Sequence, residues 1–358
     1  MTLTPNFDMD QFPATVPYYR TVAGASLCAV SPDEAFYRTY SAAQVDAIIG
    51  SLAQHAEFPF SLTYLGSGSE SWRDGGLSPT SAAAPIAPAT LLERHAEQLL
   101  ALVPPSPSIQ VVDLGPGTTR PIHGLLRHLL GRSRLAGYRA IDISAEMLEL
   151  ARQNLRTAFP HDADRFELCR GDFTGPDLAQ VLIAKDEPHD DDSGPVRFVV
   201  MAGGTLYNFA EPDRVLRHVR HAMSGHDLLV LTLRFDTGVD QPPLMDHSGS
   251  ATKSQHRAGL DLLNIDRSWY VTETGFDRDR SEVFVRARFV LPVAVTFDVD
   301  GARRTVSFEP GDTLLVWRLF YPDRSTLVDQ LDRNGFKMRL FQFGQGSQVA
   351  LVAATPGS

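Results

Sequence analysis

A short apolar run that ends in a glycine-rich turn constrains the fold of this chain more than any other feature. The run covers Ile109 to Leu114, and Gly115 and Gly117 stand in the turn that follows it. Glycine lets the backbone approach a ligand closely, and a helix after the turn presents free N–H groups at its start. We therefore expect a ligand-binding turn at the C-terminal end of a buried strand.

Strands and helices alternate from Pro104 onward. Continuously apolar strands separated by helices predict a parallel sheet that is covered by helices on both faces, which is an α/β fold. The predicted strands are Ile109–Leu114, Tyr138–Ile143, Phe166–Cys169, Arg197–Ala202 and Leu228–Leu233. The predicted helices are Pro121–Leu130, Ala145–Phe159 with Ser144 as its N-cap, and Glu211–Ala222.

Changes in this pattern divide the chain into four predicted zones. Residues 1–103 form an N-terminal segment with helices at Ala42–Ala56 and Leu91–Leu102, and residues 104–234 form the strand–helix core. Residues 235–320 begin with an irregular part and continue with antiparallel strands, and residues 321–358 close the sheet with a helix and a hairpin. The segments expected in the last two zones are an irregular stretch at Phe235–Ser268, strands at Val283–Val290, Val293–Val299, Thr305–Phe308 and Thr313–Phe320, turns at Asp300–Gly301 and Pro310–Gly311, a helix at Ser325–Asn334, and a hairpin of Phe336–Phe341 and Gln348–Ala354.

Two stretches between these elements carry little periodicity. Leu77–Thr90 is rich in proline and alanine, and it is compatible either with a flexible linker or with a loop packed over a site. Asp186–Asp192 is acidic and is interpreted as a solvated loop.

Composition limits the classes of partner. The chain has 33 basic and 43 acidic residues and a formal net charge of -10, which does not favour nucleic acid or an anionic membrane surface as a partner. No run of about 18 apolar residues is present, so we expect no membrane-spanning helix. Met1 to Arg20 lacks the features of a secretory signal, and Cys28 and Cys169 form neither a disulfide framework nor a zinc spacing. A cytoplasmic protein without a metal site is expected.

The residues around the glycine turn restrict its ligand. A nicotinamide dinucleotide site would have a third glycine at the position of Arg120. The carboxylate of Asp113 would repel a pyrophosphate, but it suits a cationic ligand such as S-adenosylmethionine (SAM). Taken alone, the turn is equally compatible with a purely structural role.

Three further features follow the next predicted strands. Asp142 ends the second strand, where a carboxylate can accept hydrogen bonds from both hydroxyls of a ribose. Asp172 and Phe173 follow the third strand, where they can bind the amino group and cover the ring of an adenine. Gly203 follows the fourth strand, at the sheet edge where ligands bind. Together these features favour a nucleoside site.

From Asp113 to Phe336 the chain resembles the histidine-specific Nα-methyltransferases of ergothioneine biosynthesis and their fungal prenyltryptophan N-methyltransferase relatives. The matching pieces are DLGPGTTR, IDISAEML, GDFTGPDL, GGTLYNF and FEPGDTL, with a fainter match at LTYLGSGSESW. The resemblance implies a Rossmann-like class I methyltransferase sheet of seven strands, with a second α+β domain that covers an amino-acid-like substrate. It also implies SAM as the cofactor and S-adenosylhomocysteine (SAH) as its product.

Residue roles follow from the same resemblance. Asn208 and Tyr64 would orient the substrate amine and are the expected catalytic residues. The expected cofactor-binding residues are Asp113, Gly115, Gly117, Thr118, Arg120, Asp142, Asp172, Phe173 and Gly203. The expected substrate-binding residues are Tyr64, Tyr207, Asn208, Val283, Trp317 and Leu319.

The chain departs from the family pattern on the substrate side. Where the family has a glutamate and a serine that hold an imidazole, an ungapped alignment gives Trp317 and Leu319, which cannot accept the imidazole N–H bonds. A family methionine that faces the substrate aligns with Val283. We therefore expect a substrate other than histidine, with a larger aromatic side chain or a cationic group stacked on Trp317.

Three functions remain compatible with these residues. The first is a SAM-dependent N-methyltransferase for an amino acid or a close derivative, in which positioning of the amine supplies much of the acceleration and no dedicated strong base is required. The second is a biosynthetic methyltransferase that acts on an oxygen, a carbon or a guanidine nitrogen of another small molecule. The third is a SAM-binding protein without catalysis.

Overall fold

The computed structural model describes residues 26–66, 69–70, 88–105, 108–175, 178–182, 194–236, 254–344 and 348–357. Its strands are β1 (Cys28–Val30), β2 (Ile109–Leu114), β3 (Leu135–Asp142), β4 (Phe166–Arg170), β5 (Val196–Met201), β6 (Leu228–Arg234), β7 (Tyr270–Asp277), β8 (Glu282–Phe289), β9 (Val293–Val299), β10 (Ala302–Phe308), β11 (Thr313–Phe320), β12 (Phe336–Phe343) and β13 (Val349–Pro356). Its α-helices are α1 (Glu34–Thr39), α2 (Ala42–His55), α3 (Pro88–Arg94), α4 (Ala96–Leu100), α5 (His123–Gly131), α6 (Ala145–Ala158), α7 (Leu178–Leu182), α8 (Pro212–Ala222), α9 (Ser254–Leu262) and α10 (Arg324–Arg333).

Seven strands form the central sheet, in the order β12-β13-β6-β5-β2-β3-β4. The pairs from β6 to β4 are parallel, and β13 runs antiparallel to both of its neighbours. This arrangement confirms the predicted α/β class and the Rossmann-like sheet. The strand order reverses beside β2, so the ligand-binding crevice of this fold lies at the C-terminal ends of β2 and β5.

Alternate residues of the central strands enter two different cores. Val111 lies in a core with apolar residues of α3, α4, α5 and α6, whereas Val112 lies in a core shared with α2, α8 and α10. The second core also contains the apolar residues of β8, β9 and β11. One face of the sheet is therefore covered by helices alone, and the other also supports the additional strands.

Those additional strands form two small sheets. One has the order β1-β9-β10 and the other β11-β8-β7. The turn between β9 and β10 has positive φ angles at Asp300 (51°) and Gly301 (76°), as a tight hairpin requires. The predicted turn at Pro310–Gly311 is different, because it passes from β10 in one sheet to β11 in the other.

The helices differ from the expected ones in two places. The stretch Phe235–Ser268, expected to be irregular, contains α9, whose Gly259 lies directly against the ring of Phe58. The expected helix Leu91–Leu102 is interrupted at His95, which separates α3 from α4. In both places, packing against distant parts of the chain overrides the local pattern.

Other predictions concern residues that the structure does not describe. Residues 77–87 of the proline- and alanine-rich stretch and the acidic residues 186–192 lie outside the described residues, while Pro88–Thr90 open α3. Among the helices that are described, none combines the length and the apolar character needed to cross a membrane.

Candidate active site

A cavity of about 410 Å³ opens at the C-terminal ends of β2, β3, β4 and β5. Phe60, Ser61 and Tyr64, from a short 3-10 turn after α2, contribute to its wall. Seven of the nine predicted cofactor residues line it, and these are Gly115, Gly117, Thr118, Asp142, Asp172, Phe173 and Gly203. We call it the first cavity.

The glycine turn after β2 has a backbone that only glycine adopts easily. The φ angle is 70° at Gly115 and 52° at Gly117. A Cβ atom on Gly115 would lie 3.1 Å from Cγ2 of Thr205, so a side chain here would require Thr205 to move as well as a strained φ angle. The turn is therefore a backbone cradle on the wall of the first cavity.

Asp142 is held at the end of β3 by the start of α6. Its Oδ1 accepts a hydrogen bond of 2.9 Å from the backbone N–H of Ser144. The hydroxyl of Ser144 in turn caps α6 by accepting a bond of 3.2 Å from the N–H of Met147, which confirms the predicted N-cap. Burial raises the pKa of Asp142 to about 6, against the opposite effect of the hydrogen bonds from Ser144 and Ile143.

Asp172 and Phe173 follow β4 at the rim of the first cavity. Oδ1 of Asp172 accepts hydrogen bonds from the backbone N–H and the hydroxyl of Thr174, at 2.8 and 2.6 Å, which orient the carboxylate. The ring of Phe173 packs edge-on against Phe209, with 5.7 Å between the ring centroids. A carboxylate and an aromatic ring therefore stand side by side, as expected for an adenine site.

Two predicted cofactor residues do not line the first cavity. Asp113 turns toward β3, where Tyr138 donates a hydrogen bond of 2.9 Å to its Oδ2. Burial raises the pKa of Asp113 to about 7, and no described residue hydrogen-bonds its Oδ1. Arg120 is exposed and is not part of the cavity wall, although the next residue, Pro121, is. Direct contact of these two side chains with the cofactor remains a prediction.

A second cavity, of about 720 Å³, adjoins the first. The residues common to both walls are Phe60, Ser61, Thr174, Asn208 and Phe209. The titratable and charged residues of its wall include His55 of α2, Arg214 of α8, Glu57, Arg280 and Arg318. We call it the second cavity.

Asn208 and Tyr64, the two expected catalytic residues, both line the first cavity. Asn208 ends a 3-10 turn after β5 and lines both cavities, and its buried Oδ1 has no hydrogen-bond partner among the described residues. Tyr64 lines the first cavity, where burial, followed by the negative charge of Asp142, raises the pKa of its hydroxyl. Whether they act on a substrate remains a prediction.

Tyr207, which was expected to bind substrate, instead joins the core. Its hydroxyl donates a hydrogen bond of 2.7 Å to Oε1 of Gln330 on α10. The amide of Gln330 donates in turn to Asp213 on α8, at 2.6 Å. Tyr207 lines neither cavity, because this chain of hydrogen bonds directs it between two helices.

Val283, Trp317 and Leu319 are also buried and line neither cavity. Trp317 packs against His256 of α9, with 4.9 Å between the rings. Leu319 packs under the glycine turn after β5, where a Cβ atom on Gly204 would lie 3.5 Å from it. The expectation that these three side chains form the substrate wall is therefore not met in this conformation.

A β-bulge explains which side chain of β11 reaches the second cavity instead. The pairing register between β11 and β8 shifts between Leu315 and Trp317. A shift of one residue reverses which side chains face each side of a strand, and an ungapped alignment does not show it. Arg318 lines the cavity. Sequence reasoning missed it, although a single arginine within the apolar run TLLVWRLF was a usable signal.

Arg318 lies between two glutamates. One terminal nitrogen of its guanidinium donates to Glu57, and the other lies 3.3 Å from Oε2 of Glu282. The side chains of Arg318, Glu57 and Glu282 are 10%, 12% and 0% exposed. Burial raises the pKa of Glu57, while Arg318 acts in the opposite direction. We call these three residues the buried triad.

The first cavity fits SAM by the chemistry of its wall. At Gly117 a Cβ atom would meet no described heavy atom within 4 Å, so a ligand can lie against this part of the turn, and Asp142 offers a carboxylate to the ribose hydroxyls. The buried, unpartnered Oδ1 of Asn208 lies where the first cavity meets the second. These residues suit a nucleoside on one side and an acceptor on the other.

Solved structures with a similar arrangement include three methyltransferases. The CcbJ methyltransferase from Streptomyces caelestis is 15% identical, with a TM-score of 0.42 over 79% of this chain and 94% of that one. The glycopeptide N-methyltransferase MtfA, solved with SAM, is 16% identical, with a TM-score of 0.39 over 74% and 93%. The amino pentose methyltransferase CalS10 from Micromonospora echinaspora is 14% identical, with a TM-score of 0.38 over 80% and 95%. No curated protein sequence gives a significant match.

A family model matches more than half of the chain. It is described as a histidine-specific, SAM-dependent methyltransferase, and it covers residues 48–242 of the 358. The match includes the glycine turn, Asp142, Asp172 and Asn208. The chain is therefore a SAM-dependent methyltransferase and belongs to the family of histidine-specific methyltransferases.

Proposed function

We propose that this enzyme is an N-methyltransferase that acts on an amino acid or an amino-acid derivative other than histidine. The observation that carries the proposal is the position of Asn208, whose unpartnered amide oxygen lies on the wall common to both cavities. An amide oxygen accepts hydrogen bonds from an amine, and it can therefore orient the amine's lone pair toward the first cavity.

In this proposal the first cavity holds SAM, which supplies an electrophilic methyl group on a sulfonium. Gly115, Gly117 and Asp142 bind the cofactor, and Asp172 with Phe173 binds its adenine. Asn208 and Tyr64 orient the acceptor amine, which must be neutral to react. Most of the acceleration comes from holding the two reactants in the reactive orientation, so no dedicated strong base is needed and the proton leaves to water.

The choice of a substrate other than histidine rests on the wall of the second cavity. Trp317 and Leu319, which align with the imidazole-binding residues of the family, are buried in the core. The volume of about 720 Å³ also leaves room for a larger acceptor.

The zones of the chain have corresponding roles. We assign residues 104–234 and 321–358 to cofactor binding and to the sheet that supports it. We assign the part of residues 1–103 that contains β1, α1 and α2, together with residues 235–320, to the substrate side, because β1 pairs with β9 and the backbone N–H of Phe58 bonds to the carbonyl of Leu315 at 3.1 Å. Helices α3 and α4 of the same zone instead pack in the core of the central sheet.

Product analysis tests this proposal. The enzyme is incubated with SAM and each of a panel of free amino acids and simple derivatives, and the products are fragmented by mass spectrometry. The proposal predicts one preferred acceptor that carries the new methyl group on nitrogen. A methyl group on oxygen or carbon, or a preference for histidine over every other acceptor, would contradict it.

A further inference from the structure

The buried triad carries an excess of negative charge. Glu57 and Glu282 contribute two carboxylates, and Arg318 contributes one guanidinium, so the ionised triad has a net charge of −1. Oε1 of Glu282 and Nε of Arg318 have no hydrogen-bond partner among the described residues. A charge removed from water is unfavourable unless another charge compensates it. A cation beside the triad would supply that compensation.

The backbone holds the triad in place. The N–H of Leu315 donates to the carbonyl of Ala56 at 2.8 Å, and the N–H of Phe58 donates to the carbonyl of Leu315 at 3.1 Å. Glu57 is therefore fixed beside β11, on which the bulge after Leu315 turns Arg318 toward the same side. The position of the Glu57 carboxylate depends on the fold and not on a flexible loop.

Glu57 and Arg318 face the second cavity, and so does Asn208. Glu282 lies behind them, fully buried and outside the cavity wall. The acceptor amine that Asn208 orients and the carboxylate of Glu57 therefore belong to one cavity. A substrate that fills this cavity would reach both.

The other charged groups of this wall lie nearer to solvent. Arg214 of α8 pairs with Glu211 at 3.3 Å and is 53% exposed. Arg280 lies 4.0 Å from Asp277 and is 63% exposed. Water screens charges at such positions, so they weaken the negative potential of the triad only slightly. His55 of α2 is the remaining titratable group on this wall.

We propose that Glu57 binds a cationic group, an ammonium or a guanidinium, on the side chain of the methyl acceptor, and that Arg318 positions Glu57 for this contact. This inference rests on the proposed function and specifies its substrate class as an amino acid with a basic side chain. It replaces the expected stacking on Trp317, which lies in the core. Glu57 acts in recognition and not in proton transfer, because the reacting amine is the one that Asn208 holds.

Calorimetry on the SAH-loaded protein tests the inference with L-lysine, L-arginine and L-norleucine as probes. Norleucine has an apolar chain without the cation, so it measures binding that does not depend on the charge. We expect lysine or arginine to bind at least about tenfold more tightly than norleucine, because a hydrogen bond between charged groups in a buried site is stronger than one between neutral groups. Equal affinity for norleucine and for the cationic probes would overturn the inference.

The variant Glu57→Gln removes the negative charge of Glu57 and keeps the size of its side chain. Its amide oxygen can still accept the hydrogen bond from Arg318, and SAH affinity within about twofold of the parent value reports a folded first cavity. We expect it to lose the preference for the cationic probes and to raise KM while leaving kcat nearly unchanged. Glu149→Gln is the matched control, because Glu149 is an exposed glutamate that also pairs with an arginine, Arg152, and lines neither cavity; it should retain the preference.

The possible failures are distinguishable. Absence of SAH binding to the parent protein refutes the proposed function itself. Binding of SAH without cation selectivity, or with selectivity that survives Glu57→Gln, refutes only the role of Glu57. A Glu57→Gln variant that loses kcat with an unchanged KM would assign Glu57 to proton transfer and would also overturn the inference.

Discussion

Asp142 has to remain ionised at a place where burial opposes ionisation. The residue is 7% exposed, and its pKa is raised to about 6 from an ordinary value of 3.8. A carboxylate in such a position is unfavourable for the empty protein, but it is a strong acceptor for two ribose hydroxyls. Cofactor binding would then offset the unfavourable free energy of burying the ionised Asp142.

Replacing Asp142 by asparagine should therefore have opposite effects on stability and on binding. Because the folded pKa is raised, the parent protein gains stability as the pH falls through about 6, and the penalty is fully present above that pH. Asp142→Asn should raise the free energy of unfolding at pH 8 by up to about 3 kcal/mol, with a smaller gain at pH 5. Denaturant unfolding of the cofactor-free proteins measures this difference.

The same variant should bind SAH at least about tenfold more weakly, because a neutral amide is a poorer acceptor than a carboxylate. Asp164→Asn, at an exposed position, is the control and should change neither quantity. If Asp142→Asn bound SAH as well as the parent protein does, the assignment of the ribose to this carboxylate would be wrong.

Asn208 offers a second test at the scale of a single residue. Removing its amide with Asn208→Ala should lower kcat by about a hundredfold, because loss of a positioning contact displaces the amine from its reactive orientation. The Kd for SAH should stay nearly unchanged. A variant that loses SAH affinity in proportion to its activity would place Asn208 on the cofactor side of the wall.

At the scale of elements, the glycine turn after β2 determines the shape of the first cavity. Gly115→Ala should destabilise the protein by about 1–2 kcal/mol, because a residue with a Cβ is unfavourable at a φ of 70° and the new Cβ atom would crowd the side chain of Thr205. It should also weaken SAH binding. Gly131→Ala is the control, since a Cβ atom there would have no neighbouring heavy atom within 4 Å among the described residues, and its φ lies outside the left-handed range. Equal stability of the two variants would show that the turn is more adaptable than its geometry indicates.

Much of the central sheet could be predicted from the sequence, since its signals are local. Ile109–Leu114 has the bounds expected from its apolar run, and Ser144 caps α6 as its position before a helical pattern indicated. Helix α9 was missed because its apolar residues pack against segments far away in the chain, such as Phe58. Local periodicity contains no information about such contacts.

The residues of the candidate site likewise differ in whether local sequence signals predict their positions. The residues that follow strand ends, such as Asp142 and Asp172, were brought to one cavity because the topology of a parallel sheet dictates where strands end. Trp317 was misplaced because a bulge on β11 changes the register by one residue. Glu57 was missed because its role depends on a pairing with Arg318 across more than 250 residues, which no local pattern reveals.

At the scale of the whole molecule, the N-terminal segment contacts the part of the chain that lies between β6 and α10. Asn264 donates to the carbonyl of Ser31 at 2.9 Å, and the hydroxyl of Tyr37 accepts a hydrogen bond of 2.9 Å from the N–H of Asp298. Phe36 is 2% exposed, and its ring lies 6.1 Å from that of Phe297. The N-terminal segment is thus part of the structure that would cover the substrate.

Phe36→Ala should consequently destabilise the folded protein by about 3–5 kcal/mol through the cavity it leaves. Because Phe36 is in the N-terminal segment and does not line the first cavity, the variant that remains folded should keep its affinity for SAH. Thermal unfolding with and without SAH separates the two effects. A loss of SAH affinity in the folded variant would show that the two sides of the molecule are energetically coupled.

We assign the cofactor to the first cavity and an amino acid with a basic side chain to the second. Calorimetric titration with SAH, followed in the same cell by lysine, arginine, histidine and norleucine, tests both assignments. We predict micromolar binding of SAH and then stronger binding of lysine or arginine than of the other two. Absence of SAH binding would contradict the cofactor site, and SAH binding followed by tighter binding of histidine or norleucine would contradict the substrate class.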